Sequence, residues 1–201
     1  NFEMAKEMAE MEDIEVDYVI VADDLAVDNK EDRRGVSGTI FFHKTLGALA
    51  ENGSSLADIK EAAEALKPDI KSLGMATSPC TNPSDGKASF NLEASEIEMG
   101  IGIHGEEGIK KEEMKEANQI VEEMLDKILT EVDDKDSQYA LMVNGMGATP
   151  EMELYIVANH AHDYLADKDI KIARTYIGNF MTSMDMAGFS VIFYKGGVEK
   201  L

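Results

Sequence analysis

Apolar positions along the chain switch between a spacing of three to four and short unbroken runs, which predicts helices alternating with buried strands. Residues 2 to 11 put Phe2, Ala5, Met8 and Ala9 on one helical face. Tyr18 to Ala22 is apolar on both faces and runs into Asp23 and Asp24, as a buried parallel strand with a functional loop or turn at its end would. NKEDRRG is a charged loop. GTIFFHKTLGALAENG reads as a helix with Ile40, His43, Gly47 and Ala50 near one face and Gly53 at a left-handed C-cap. Ser55 opens the next helix, with Asp58 three residues on in capping-box spacing. That helix is expected to run through DIKEAAEALKPDIKSL, bent or broken at Pro68 and closed by Gly74.

Beyond Gly74 the pattern changes. MATSPC reads as a short strand, TNPSDGK as a loop, and ASFNLE and EIEMGIGI as strands. EEMKEANQIVEEMLDKIL is amphipathic, with Met114, Ile120, Val121, Met124 and Ile128 toward a core. YALMVN is a strand, and the following helix has Thr149 as N-cap and Pro150 at its first position. IKIART and FSVIFYK complete the strands. The order is βαβα-like at first and sheet-plus-helices later, so the expected fold is α/β in two parts divided near Ser72 to Met75. Residues 1–72 would be the remainder of an N-terminal α/β domain. Residues 73–201 would form a smaller α+β domain that carries the histidine of EIEMGIGIHG.

Composition narrows the class of protein. With 44% hydrophobic and 29% charged residues the chain is of the soluble globular kind. Nineteen basic against forty acidic residues give a net charge of -21, which repels nucleic acid and anionic membranes, so neither is an expected partner. The same charge makes a free polyphosphate an awkward ligand unless a metal or a partner protein carries it. Cys80 is the single cysteine, so no intrachain disulfide is possible and a reducing, cytoplasmic location is expected. After Pro79, in an apolar stretch, it reads as a small buried residue and not a nucleophile. The sequence contains no apolar run of membrane-spanning length and no basic-then-apolar leader. It opens on NFEMAKEMAEMEDIEV with no start methionine, as a chain whose beginning is missing would.

Candidate chemistry centres on GIGIHGEEG, residues 100 to 108, whose first six residues fit the dinucleotide pattern G-x-G-x-x-G. A phosphate cradle also needs a helix starting at the third glycine. Here Gly105 is followed by Glu106 and Glu107, which would repel a pyrophosphate, so a tight strand-to-loop corner is the better reading. His104 then stands between Gly102 and Gly105. It is either structural, hydrogen-bonded through one nitrogen, or chemical, as an acid, base or nucleophile. No local cluster supplies metal-ligand spacing. His43 is expected at a core boundary, and His160 and His162, two apart in a helix, on different faces at the surface. Asp23 and Asp24 end a strand, where catalytic carboxylates occur but loop or helix caps are commoner.

The stretches VADDLAV, RRGVSGTIFFHK, SLGMATSPCTNP, EMGIGIHGEEG, NGMGATPEMELY and IGNFMTSMDMAGFS occur in this order over nearly all 201 residues. Together they resemble the dihydroxyacetone-binding subunit of dihydroxyacetone kinases, with Glu107 where that family often has proline. The resemblance implies that His104 attacks the ketone carbonyl and holds dihydroxyacetone as a hemiaminal. It is therefore both the catalytic and the substrate-binding residue, and no metal site is implied in this chain. A carbon–nitrogen bond also discriminates, because glycerol has similar hydroxyls but no carbonyl. The glycines beside His104 would give a three-carbon ligand clearance. The resemblance further implies a homodimer and a partner domain or subunit carrying ATP or ADP with magnesium, or else a phosphoenolpyruvate-driven relay. It places Asn1 after the family's glycine–aspartate motif, so that roughly the first third of the usual subunit, with its general base, would be missing and the fragment alone inactive. The alternative is a non-catalytic relative that senses dihydroxyacetone as a transcriptional coactivator.

Overall fold

The computed structural model describes residues 1–104 and 108–196. Its spine is β1 (Ile70–Ala76), whose seven residues are all buried. Along its whole length β1 pairs antiparallel with β6 (Gly188–Lys195), from Ile70 opposite Tyr194 to Ala76 opposite Gly188. On its other side Met75 and Ala76 pair antiparallel with β2 (Glu96–Met99), which in turn pairs with the edge strand β3 (Lys110–Glu113). Beyond β6 come β4 (Gln138–Gly145), antiparallel to it, and β5 (Lys171–Gly178), parallel to β4. The order β3-β2-β1-β6-β4-β5 makes one mixed sheet of six strands.

Helices cover both faces, which is why the central strands read as continuous apolar runs. On one face α4 (Ala117–Leu129) and α5 (Glu151–Asp167) bring Val121, Met124, Leu154 and Ala161 against Leu73, Met75, Leu141 and Val191. On the other, α2 (Thr39–Glu51) and α3 (Leu56–Leu66) bring Phe41, Phe42, Ala63 and Leu66 against Ile70, Met142, Ile192 and Tyr194. Helix α1 (Phe2–Met11) forms where the periodicity predicts it but buries none of its residues. The fold is mixed α/β, as expected. The division expected between residues 72 and 73 falls inside β1, so the parts on either side of it share one sheet.

Several elements differ from the sequence reading, each for a local reason. The helix expected to reach Gly74 ends at Leu66. Pro68 then sits in a 3-10 turn, Lys67–Asp69, because its ring and missing N–H cannot continue an α-helix, and IKSLGMA becomes β1. Tyr18 to Ala22 forms no strand. Ala22 takes a positive φ of 55°, which turns the chain, and Ile20 is 60% exposed. Pairing shrinks to a parallel bridge of Asp24 with Ser72. ASFNLE keeps a single bridge, Thr81 with Ala88. On α2 the aromatic pair Phe41 and Phe42 takes the inward face, which leaves His43 exposed. The capping box of Ser55 with Asp58 and the positive φ of Gly53, 84°, appear as expected.

Candidate functional site: the histidine hairpin

His104 lies in the loop that joins β2 to β3, and it is exposed. At the loop entrance the Gly100 amide donates to the Gly74 carbonyl at 2.7 Å. Gly100 holds φ at 77°, and a Cβ there would stand 2.5 Å from Ile109 Cγ1 and 3.0 Å from Ala26 Cβ. Both conformation and space therefore require glycine. Ile101, 2% exposed, packs with Ala76, Cys80, Met146 and Met186 and pins the first part of the loop to the sheet. At the exit Ile109 N–H donates to Met99 O at 2.6 Å, and Gly108 N–H donates to Glu98 Oε1 at 2.8 Å. A Cβ on Gly108 would lie 2.3 Å from Met99 O and 2.8 Å from Glu98 Cγ. Gly100 and Gly108 thus let the loop close on itself. The clearance expected beside the ring at Gly105, and the acidic lip of Glu106 and Glu107, lie outside the described residues.

Among the described residues the dinucleotide pattern is not followed by the helix it needs. After Gly108 the chain enters β3 at Lys110, and α4 begins only at Ala117. No described residue between Gly108 and Glu116 is helical.

The VADD and RRG stretches meet the loop from the side. Arg34 Nη2 donates to Gly100 O at 3.2 Å, while its Nε donates to Asp24 Oδ2 at 2.8 Å. Asp24 also accepts Ala26 N–H at 2.9 Å. The fully buried Asp23 accepts the amides of Val36 and Gly38, both at 2.7 Å, and the Ser72 hydroxyl at 2.5 Å. Burial pushes its carboxyl pKa up against these bonds, which pull it down. The Asp23 carboxylate ties the lead-in of α2 to β1, a capping role that is the commoner outcome for such residues, and the Asp24 carboxylate holds Arg34 and the Ala26 amide.

Glu98, 4% exposed, has its Oε1 on Gly108 while its buried Oε2 has no hydrogen-bond partner. Sequence reasoning did not single out Arg34 or Glu98. The signals were an arginine beside glycine in RRG and the carboxylate of Glu98, which leads directly into the apolar run MGIGI. The remaining histidines serve packing or surface contacts: His160 Nε2 lies 2.8 Å from Glu122 Oε1, and His162 Nε2 lies 2.7 Å from Thr175 Oγ1. Cys80 is buried, as expected, with its thiol 3.1 Å from Ser89 Oγ. Among the described residues no group of three or more His, Cys, Asp or Glu is arranged to hold a metal ion. Nor is any helix among them long and apolar enough to cross a membrane.

A six-stranded mixed sheet between helix layers, with a histidine hairpin at its β2–β3 edge, is here the architecture of a Dak1 domain. The model of that domain matches residues 1–200, and the chain belongs to this family. The chain is 46% identical over 199 residues to the "PTS-dependent dihydroxyacetone kinase, dihydroxyacetone-binding subunit DhaK" of Lactococcus lactis subsp. lactis (strain IL1403), covering 97% of this chain and 60% of the relative. Among solved structures it superposes on the "Dihydroxyacetone kinase operon co-activator Dha-DhaQ" with a TM-score of 0.90 and 37% identity, covering 96% of this chain and 61% of that one. It also superposes on the dihydroxyacetone kinase from C. freundii in complex with AMP-PNP and Mg2+, with a TM-score of 0.85 and 29% identity, covering 99% of this chain and 37% of that one. The chain spans about 60% of the length of the first two curated relatives it matches.

Proposed function

We propose that this protein is the substrate-binding component of a dihydroxyacetone kinase, and that His104 holds the ketone as a covalent hemiaminal. The observation that carries the reading is the 46% identity to a dihydroxyacetone-binding subunit, together with an exposed histidine on a hairpin loop clamped at both ends. In the capture step the unprotonated nitrogen of a neutral imidazole adds to the carbonyl carbon, the C=O π pair moves to oxygen, that oxygen takes up a proton, and the other ring nitrogen gives one up, so the adduct is neutral. Small hydroxyketones gain little from hydrogen bonds that water already offers, so a covalent bond supplies both retention and selectivity.

Phosphoryl transfer to the free hydroxyl is assigned to a partner domain or subunit that brings either ATP with magnesium or a phosphoenolpyruvate-derived phosphate. The Lactococcus relative is called PTS-dependent and the C. freundii kinase was solved with AMP-PNP and Mg2+, so both donors have a precedent among relatives. With a charge of -21 the chain is better suited to meet a nucleotide on a partner than free in solution. We further propose a cytoplasmic homodimer, and that the chain alone captures the ketone without phosphorylating it.

Carbon-13 NMR of carbonyl-labelled dihydroxyacetone tests the reading: a new tetrahedral carbon is expected with the wild-type protein and none with His104→Ala. A carbonyl signal that persists unchanged in the bound state would sink it. A second reading, a dihydroxyacetone-sensing coactivator, draws on the similarity to the operon co-activator. The sensor would form the adduct yet transfer no phosphate with any nucleotide- or phosphoprotein-bearing partner, whereas the kinase component would.

A further inference from the structure

We propose that Glu98 is a positioning residue for His104, acting through the hydrogen bond that its carboxylate accepts from the Gly108 amide. The inference rests on the capture reading above and adds to it the residue that holds the loop in the geometry capture requires.

The loop between β2 and β3 is fixed at both ends by charged side chains that lie outside it. Arg34 holds the Gly100 carbonyl at 3.2 Å and Glu98 holds the Gly108 amide at 2.8 Å, and His104 is four residues from each of these glycines in sequence. Glu98 faces the same side of the sheet as Ala76, its register partner on β1, and it is 4% exposed. A carboxylate that deep, with one oxygen bonded and the other left without a partner, is a costly choice for a position that an apolar residue could fill. What it supplies in return is an acceptor for the one loop amide that its Oε1 reaches. Gly108 has the matching feature: a Cβ there would collide with Met99 O and with the Glu98 side chain, so only glycine allows the contact. A carboxylate bond to an amide is among the stronger neutral-to-charged hydrogen bonds, and losing it frees the loop exit four residues from the histidine. A nucleophile must be held close to its attack geometry, so freedom at the loop exit lowers capture.

Because only Oε1 is engaged, an amide oxygen can replace it. Glu98→Gln keeps the acceptor and removes a buried charge, whereas Glu98→Ala removes the acceptor. Capture of carbon-13-labelled dihydroxyacetone is measured from the tetrahedral signal for the wild type, both variants and His104→Ala, with thermal unfolding of each. Glu98→Ala is expected to weaken capture by about tenfold or more, and Glu98→Gln to restore it to within about threefold of wild type. Should Glu98→Ala fail to fold, Glu98→Leu fills the volume without an acceptor and carries the same expectation. Capture by the acceptor-less variant equal to wild type overturns the proposal, whatever happens to Tm. Equal loss in the Gln and Ala variants overturns it too, because charge and not the hydrogen bond would then matter. If the wild type gives no tetrahedral carbon, or His104→Ala gives the same signal, the capture reading itself falls and the positioning role goes with it.

Discussion

Asp23 Oδ2 accepts the Gly38 amide at 2.7 Å, and a methyl group on residue 38 would stand 2.5 Å from that same oxygen. The aspartate reaches from another part of the chain to serve the lead-in of α2, whose N-cap Gly38 has no side chain to do so. Gly38→Ala should therefore cost about 2 kcal/mol through overpacking. Asp23→Ala should cost about 3 kcal/mol, because the amides of Val36 and Gly38 and the Ser72 hydroxyl lose their acceptor in the interior. Urea unfolding measures both, and an unchanged midpoint in either variant would refute the long-range cap.

Arg33, 7% exposed, grips Glu131 with two bonds of 2.9 and 2.5 Å. The Arg33 hydrogen bond holds the Glu131 carboxyl below its ordinary value of 4.5. A depressed carboxylate contributes stability that is present above the unfolded pKa and lost as pH falls through the folded one. Glu131→Gln should cost about 2 kcal/mol at neutral pH and flatten the acid limb of the stability curve below about pH 4.5. A limb as steep as wild type would show that other carboxylates account for it.

Thr149 was expected as the N-cap of α5, yet that place falls to Pro150, and its hydroxyl instead donates to Gly188 O at 2.7 Å and accepts Gly188 N–H at 2.8 Å. The two roles predict different variants. A cap tolerates aspartate, whereas this bridge needs a donor that aspartate lacks. Thr149→Ser should be nearly neutral and Thr149→Asp should cost about 2 kcal/mol, read by thermal unfolding. A stable aspartate variant would restore the cap reading.

Lys71 is buried in β1, with its Nζ on the carbonyls of Pro68 at 2.6 Å and Ile70 at 3.4 Å. Burial lowers its pKa. An ammonium depressed in this way binds its proton better when unfolded, so it costs stability below the folded pKa and the cost fades as pH rises above it. Lys71→Met should raise stability by about 1 kcal/mol at neutral pH, with a smaller gain in strongly alkaline buffer. Destabilisation at neutral pH would mean that the two carbonyl contacts outweigh the buried charge.

Much of this architecture was legible in the sequence wherever one local rule dominated. The capping box at Ser55, the left-handed Gly53 and the apolar runs of β4 and β6 each follow from short-range chemistry, as does the amphipathic α4 from Ala117 on, although the helix expected from Glu112 gives Glu112 and Glu113 to β3 and leaves Met114 44% exposed. What escaped depended on partners far along the chain. IKSLGMA looks like the end of a helix until its whole length is seen paired with β6. KKEE has no apolar alternation and becomes a strand only because β2 offers it an edge. Tyr18 to Ala22 had the right composition for a strand, but Ala22 turns the chain away. At the site, His104 could be singled out from its motif, while Glu98 and Arg34 become visible only once β2 and the lead-in of α2 are brought to the loop.

The histidine rides on the outermost hairpin of the sheet, whose edge strand β3 is largely exposed, while β1, β4 and β6 lie within. Release of β3 from β2 exposes little of the core, whereas β2 itself is anchored by the buried Ile97 and Met99, so the free energy of fraying β3 is set by a few hydrogen bonds and not by the stability of the whole domain. Amides of β3 should then exchange with solvent deuterium far sooner than those of β4. For a lineage of such proteins the same arrangement makes the exposed position at His104 a separable part, open to replacement at little expense to the sheet, while Gly100, Ile101 and Gly108 stay tied to it.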